Sequence, residues 1–251
     1  MGEREVRLAN TEGHRSKASY LIKRRYAWRG YQSSGLSENL ANRITLAAFD
    51  GEQTIATITV GIDSPAGLAV EALYPDEVKA LRTAGRHLCE FTKLAVDNMV
   101  RSKAVLAAIF HIAYIYGHRM RRCTDVVIEV NPRHVRFYRS MLGFEPFGEE
   151  RIDPRVNAPA VLLHLDLRYA SEQISMYGGG QKPCRRSLYP AVFSPQEQEA
   201  LRRKIESIEL TPSFSVPSDR PGRRVRDEDE HHSTYLPLMP VLSGEFAGAS
   251  A

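Results

Sequence analysis

Apolar positions along this chain alternate between a period of two and a period near three and a half, and the switches mark out the elements. Residues 17–31 (KASYLIKRRYAWRGY) place Tyr20, Leu21, Ala27 and Trp28 at helical spacing with cations between them. Residues 44–50 and 54–62 are strand-like runs joined by Asp50-Gly51, a turn dipeptide that predicts a β-hairpin. A short polar helix follows over 75–84, and 88–96 (LCEFTKLAV) alternates as a half-buried strand. Residues 102–118 put Val105, Ala108, Ile109, Ile112 and Tyr116 on one helical face. Residues 125–130 form a β-branched strand, and 160–167 (AVLLHLDL) a last one.

Between those two strands the chain reads EVNPRHVRFYRSMLGFE over 129–145. Asn131 can cap a short helix whose first turn holds Pro132, where a missing N–H costs nothing. Gly143 supplies the left-handed residue that ends the helix, and a further strand starts at Phe144. The same residues also fit a plain strand-to-helix connection with Phe137 and Tyr138 as core packing. The resulting order of helices and strands predicts a mixed α+β domain over about residues 1–170.

After residue 170 the composition changes: Gly178-Gly179-Gly180 opens a segment with eight of the fourteen prolines. Within this extension, 171–251, Ser194-Pro195-Gln196-Glu197 forms a capping box for one amphipathic helix at about 195–209. Its apolar side is Leu201, Ile205 and Ile208, and the helix is expected to dock on the domain. The remainder, with an acidic run at 227–230, reads as loosely ordered. His231-His232 beside that run lacks fixed geometry, so a solvated tail is expected rather than a metal site.

Composition narrows the classes. No apolar run approaches the ~20 residues of a membrane-spanning helix, and the N-terminus lacks the layout of a secretory signal. Membrane contact is therefore expected only peripherally, at product release. Cys89, Cys123 and Cys184 are too few and too scattered for a disulfide framework, which predicts a cytoplasmic protein. Net charge is +4, but residues 1–31 hold eight Lys/Arg against three Glu. Such a face steers an anionic partner, or is simply a solvated helix surface. No nucleic-acid-binding signature accompanies it.

Two residues carry candidate chemistry. Glu90 lies inside a strand, an expensive place for a carboxylate unless it faces a cleft or has a partner such as Lys93 or Arg86. With a raised pKa it could deprotonate an incoming ammonium group. Tyr138 could act as a general acid toward a departing group, and backbone N–H groups of strand 88–96 could hold an oxyanion. An absence matters equally: residues 97–105 (DNMVRSKAV) contain no glycine. Arg101, Ser102 and Lys103 could hold one phosphate there, but they form no nest for a pyrophosphate.

The 129–145 unit resembles the second half of the acyl-CoA site in the GNAT superfamily of N-acyltransferases. The missing loop is the Gln/Arg-x-x-Gly-x-Gly/Ala turn that typical acetyl-CoA-dependent members carry. With residues 20–31, Tyr74-Pro75, 85–97 and 155–167, the chain looks like the catalytic core of the FeeM-type N-acyl amino acid synthases. That family is related to the acyl-homoserine-lactone autoinducer synthases. The resemblance, over about residues 16–170, implies a GNAT-like mixed central sheet flanked by helices. It also implies transfer of a long-chain fatty acyl group from acyl carrier protein to the α-amine of an amino acid. No cofactor would be held permanently, since the donor is the acyl-phosphopantetheine of the carrier. Glu90 and Tyr138 would be catalytic. Lys93, Leu94, Val96, Arg101, Ser102, Asn131, His134 and Phe137 would line the substrate and pantetheine site, and Arg24 and Arg25 would meet the carrier. Two rival readings remain at this level: an acetyl-CoA-dependent N-acetyltransferase, and a non-catalytic module that binds acyl carrier protein.

Overall fold

The protein's structure, a computed structural model, describes residues 4–9, 11–27, 42–97, 100, 102–180, 187–206, 213–215 and 236–237. At its centre is the hairpin signalled by Asp50-Gly51: β2 (Arg43–Asp50) and β3 (Gln53–Ile62) pair antiparallel, with Gly51 at φ 56°. Glycine adopts that left-handed value at little cost. The next strand, β4 (Leu88–Val96), runs antiparallel to β3 and parallel to β5 (Asp125–Val130). β8 (Ala158–Asp166) pairs antiparallel with β5, and the short β6 (Glu145–Pro146) and β7 (Arg151–Asp153) pair with β8.

On the other edge β1 (Arg4–Leu8) lies antiparallel to β2, followed by β9 (Ser213–Ser215). β10 (Leu236–Pro237) runs beside Ala95 and Val96 of β4. The sequence pattern did not signal β1. Its five residues, REVRL, open on two adjacent charges, and pairing with β2 buries Val6 and packs Leu8 against the core.

Helices cover both faces. One face carries α1 (Glu12–Ala27) and α2 (Pro75–Thr83). Ala18, Leu21 and Ile22 of α1 pack on Ala47, Phe49 and Ala95, while Val78 and Leu81 of α2 pack with Leu88, Val127 and Leu162. The helix begins five residues before the predicted start at 17. Its expected continuation through Trp28 to Tyr31 lies outside the described residues.

The opposite face carries α3 (Lys103–Tyr114), α4 (Val135–Leu142), α5 (Leu167–Tyr177) and α6 (Pro195–Glu206). From Val105 to Tyr114 every side chain of α3 is buried. A helix apolar all round must be covered on both sides, and the cover is the chain after α5. Leu188, Tyr189, Val192 and Phe193 are buried, and the Tyr189 hydroxyl donates to the Leu142 carbonyl at 2.8 Å. The α6 capping box forms as the sequence suggests, with Ser194 N–H donating to Glu197 Oε2 at 2.8 Å and Glu197 N–H to Ser194 Oγ at 3.3 Å. Leu201 packs against the core. The side chain of Ile205 and residue 208 lie outside the described residues. No helix among the described residues is long and apolar enough to cross a membrane.

Candidate active site

The parallel pair β4–β5 stays together for only three rungs, Leu88 with Asp125, Cys89 with Val126 and Glu90 with Val127. Beyond Glu90 the strands part. β5 continues along β8 to Val130, while β4 follows β3 to Val96. At the opening β4 bulges: Lys93 sits at φ 50°, the register slips between Thr57 and Thr59, and the Lys93 carbonyl accepts from the Thr57 hydroxyl at 3.0 Å. A bulge re-aims the side chains that follow it. Cys89 and Phe91 before it, and Leu94 and Val96 after it, all join the α3-side core, whereas Ala95 packs under α1. Past Glu90 the gap-side edge of β4 has no β5 partner, and Leu236 and Pro237 of β10 lie along it at Val96 and Ala95.

On the α1/α2 face the site is polar. Glu90 is fully buried. Its Oε2 accepts from the Val70 N–H at 3.2 Å, and its Oε1 lies 3.0 Å from Arg43 Nη2. Arg43 reaches it because the residue between them, on β3, is Gly61, paired with both. A Cβ on Gly61 would stand 2.9 Å from Glu90 Cγ and Oε1. Burial pushes the Glu90 carboxyl above the usual carboxylate range, and the Ala69 and Val70 amides with the Arg43 guanidinium pull against that. Arg86, offered as a partner by sequence proximity, instead binds Asp125 and Asp166 at 2.8 and 2.9 Å. Lys93 is half-buried, and burial, then Arg43, lowers its pKa.

On the α3 face the site is apolar. Asn131 caps the turn after β5 by accepting from the Arg133 N–H at 3.3 Å, and its Nδ2 donates to the Pro159 carbonyl at 3.2 Å. This fixes the angle at which α4 leaves the sheet, and Gly143 at φ 80° ends it. Tyr138 is 1% exposed, edge-on to Phe110, Phe137 and Phe144 with centroids 6.4, 5.5 and 5.7 Å away. Burial, and secondarily the Tyr26 phenol, push its hydroxyl pKa far up, so it holds its proton at neutral pH. His134 is buried and Phe137 half-buried beside it.

At the end of the gap, Ser102 caps α3, its Oγ accepting from the Ala104 N–H at 3.2 Å. Arg101 lies outside the described residues. Arg24 pairs with Asp97 at 2.5 Å, tying the last turns of α1 to the end of β4. The pairing of Arg24 and Arg25 as surface contacts needs correction: Arg25 is 1% exposed, out of reach of a docking protein. Helical geometry separates these neighbours by about 100° around the axis, one facing the sheet and the other its rim. Among the described residues no three His, Cys, Asp or Glu side chains gather as metal ligands, and His231-His232 lies outside them. Sequence reasoning missed Arg43, Gly61 and Thr92, which meet only through strand pairing.

A mixed sheet whose central parallel strands part, flanked by helices on both faces, is a GNAT-like fold, and it sets the buried Glu90 carboxyl on one face and the buried Tyr138 phenol on the other. The chain belongs to the FeeM N-acyl amino acid synthase family, which it matches over residues 17–166. Among solved structures it is similar to FeeM, an N-acyl amino acid synthase from uncultured soil microbes. That match has 26% identity and a TM-score of 0.60, covering 67% of this chain and 94% of that one. An acyl-CoA N-acyltransferase from Pseudomonas aeruginosa shares 14% identity, with a TM-score of 0.46 and coverage of 64% and 97%. A CoA-dependent acyl-homoserine lactone synthase, BjaI, shares 13%, with a TM-score of 0.46 and coverage of 64% and 77%. No curated protein matches the chain by sequence.

Proposed function

We propose that this N-acyltransferase moves a long-chain fatty acyl group from acyl carrier protein to the α-amine of an amino acid. The observation that carries the donor half is the start of α3. A CoA pyrophosphate needs a row of bare backbone amides, usually supplied by glycines ahead of a helix. Here residues 97–105 contain no glycine, and Ser102 already uses a first-turn N–H for its own cap. A carrier's phosphopantetheine has a single phosphate diester and asks less of that corner. Arg24, which pairs with Asp97 at the end of β4, and the excess of Lys/Arg over Glu in residues 1–31 suit an acidic carrier surface. Because the donor arrives as an acyl-phosphopantetheine, no resident cofactor is required, and the site of action is the cytoplasm.

In this reading Glu90 takes a proton from the acceptor's ammonium group. The freed amine attacks the thioester carbonyl, and backbone N–H groups along the bulged edge of β4 hold the resulting oxyanion. Collapse breaks the C–S bond as Tyr138 gives its proton to the departing thiolate, and the second proton of the attacking nitrogen restores the phenol, leaving a neutral amide and the carrier thiol. The decisive measurement is kcat/KM for a long-chain acyl carrier protein against the matching acyl-CoA and acetyl-CoA. The carrier-bound donor is expected to be preferred by at least about tenfold, a difference of about 1.4 kcal/mol. A clear preference for acetyl-CoA would return the protein to the N-acetyltransferases. Carrier binding without any product would make it a sensing module.

A further inference from the structure

Three adjacent strands present a small polar grid on the α1/α2 face. Its first row is Arg43 on β2, Gly61 on β3 and Glu90 on β4, in register. The second row is Thr45, Thr59 and Thr92, likewise in register, with the Thr45 and Thr59 hydroxyls 2.7 Å apart. Apolar residues bound the grid: Val70 and Leu88 on the α2 side, Leu21, Ile22 and Ala95 on the α1 side. Within it, Arg43 Nε and Thr92 Oγ1 are buried with no hydrogen-bond partner among the described residues, and Glu90 Oε1, which faces Arg43 as an ion pair, accepts no hydrogen bond either. Most buried polar side-chain atoms in a folded protein are hydrogen-bonded, and one left unmade is costly. Three together on one face of three strands mark a surface shaped for something that completes them.

We propose that Arg43 binds the α-carboxylate of the acceptor, so that the Arg43–Gly61–Glu90 row reads an amino-acid zwitterion. This rests on the acceptor reading above. The charges match: a guanidinium and a carboxylate stand opposite each other, as the carboxylate and ammonium of a zwitterion do in reverse. Before binding, Arg43 and Glu90 neutralise each other at 3.0 Å. When the acceptor enters, each exchanges its partner for the oppositely charged end of the ligand. Neither is left as an uncompensated buried charge in either state, which is the condition a buried pair must meet. Arg43 Nε supplies a donor that the Glu90 contact does not use, and the planar fork suits a carboxylate. Gly61 is the floor that makes room: a side chain there would press on Glu90 Cγ and Oε1 at 2.9 Å. Once the ammonium has given its proton to Glu90, the same Arg43 contact keeps the amine aimed into the gap.

The proposal makes the free carboxylate a requirement of the substrate. The test compares an acceptor amino acid with its C-terminal amide, using a long-chain acyl carrier protein, in the wild type, Arg43→Lys and Arg43→Gln. The wild type should prefer the acid by about 10- to 100-fold in kcat/KM, the worth of one charged hydrogen-bonding contact. In Arg43→Gln that preference should collapse to within a few fold. Arg43→Lys, which keeps the charge and protects the fold, should fall between and raise the acceptor KM without moving the donor KM. Equal losses for acid and amide would make Arg43 only a counter-ion to Glu90 and overturn the proposal while leaving the synthase reading intact. A wild type that acylates neither acceptor but does acylate another amine would overturn both. Thermal unfolding of each variant separates these outcomes from loss of fold.

Discussion

The two sides of the β4–β5 opening are built by opposite rules. On the α3 side Tyr138 is walled by Phe110, Phe137 and Phe144, with Phe91, Leu94 and Val96 in the same core. On the α1/α2 side Arg43, Thr45, Thr59, Glu90 and Thr92 share one face. The difference suits what each side is proposed to hold. A fatty thioester gains from apolar walls, roughly 25 cal/mol per Å² removed from water. A zwitterion gains from charges that trade partners. One strand serves both because the Lys93 bulge restores apolar facing after it has been interrupted.

The largest effect that can break this division is expected at Glu90. Glu90→Gln keeps the shape and removes the base, so kcat/KM should fall about 10²–10⁴-fold. The pH profile carries the sign. A base works when deprotonated, so the rate rises as pH rises through its pKa. Burial holds that pKa above the usual carboxylate value, which places the limb above the ordinary range. In Glu90→Gln this limb should vanish. A folded variant with near wild-type turnover from pH 6 to 9 would strip the polar face of its chemistry.

How much of this contrast was legible beforehand depended on range along the chain. The Asp50-Gly51 hairpin and the Asn131-to-Gly143 unit came from local turn and capping chemistry and the 88–96 strand from its alternation, and the structure contains all three. Tyr138 was visible because its motif is contiguous. Arg43 was not. It is 47 positions from Glu90 in the numbering, and the two meet only because Gly61 is the rung between them. The Lys93 bulge escaped for a similar reason, since LCEFTKLAV alternates almost as well with it as without. The buried segment after α5 was obscured by composition. Proline and glycine suggested a loose tail, yet Leu188, Tyr189, Val192 and Phe193 complete the cover of α3.

A smaller effect, the mirror of the first, is expected at Tyr138. Tyr138→Phe keeps the ring and its packing and removes the proton near the leaving sulfur. An acid acting late should lower kcat by about 10²-fold with donor binding nearly unchanged. The loss should shrink with an aryl thioester, whose thiolate needs less help. It should not depend on whether the acceptor carries a free carboxylate, because that belongs to the other face. Equal loss for good and poor leaving groups would leave Tyr138 as a wall of the channel.

The smallest effect is expected far from both faces, at His111, and it tests whether losses in the other variants are local. His111 Nδ1 accepts from the Phe193 N–H at 3.1 Å, so the ring proton sits on Nε2, 2.9 Å from Gln198 Oε1. The ring clasps the chain after α5 onto α3 and is buried on all sides. Burial lowers its pKa from 6.5 to about 4, with Gln198 and Glu197 opposing. The unfolded chain therefore binds this proton more readily than the native one does. Stability from this clasp is complete above pH 6.5 and is lost as pH falls toward 4, at up to about 1.4 kcal/mol per pH unit. In His111→Asn the amide can accept from Phe193 but does not titrate. The difference in unfolding free energy between wild type and variant should thus narrow on acidification through that window. At pH 7.5 the acid-over-amide preference and the aryl-thioester response should both match the wild type. A difference that stays flat from pH 7 to 4 would mean that His111 opens to solvent before it protonates. A shifted acceptor preference would show that the cover of α3 reaches the polar face.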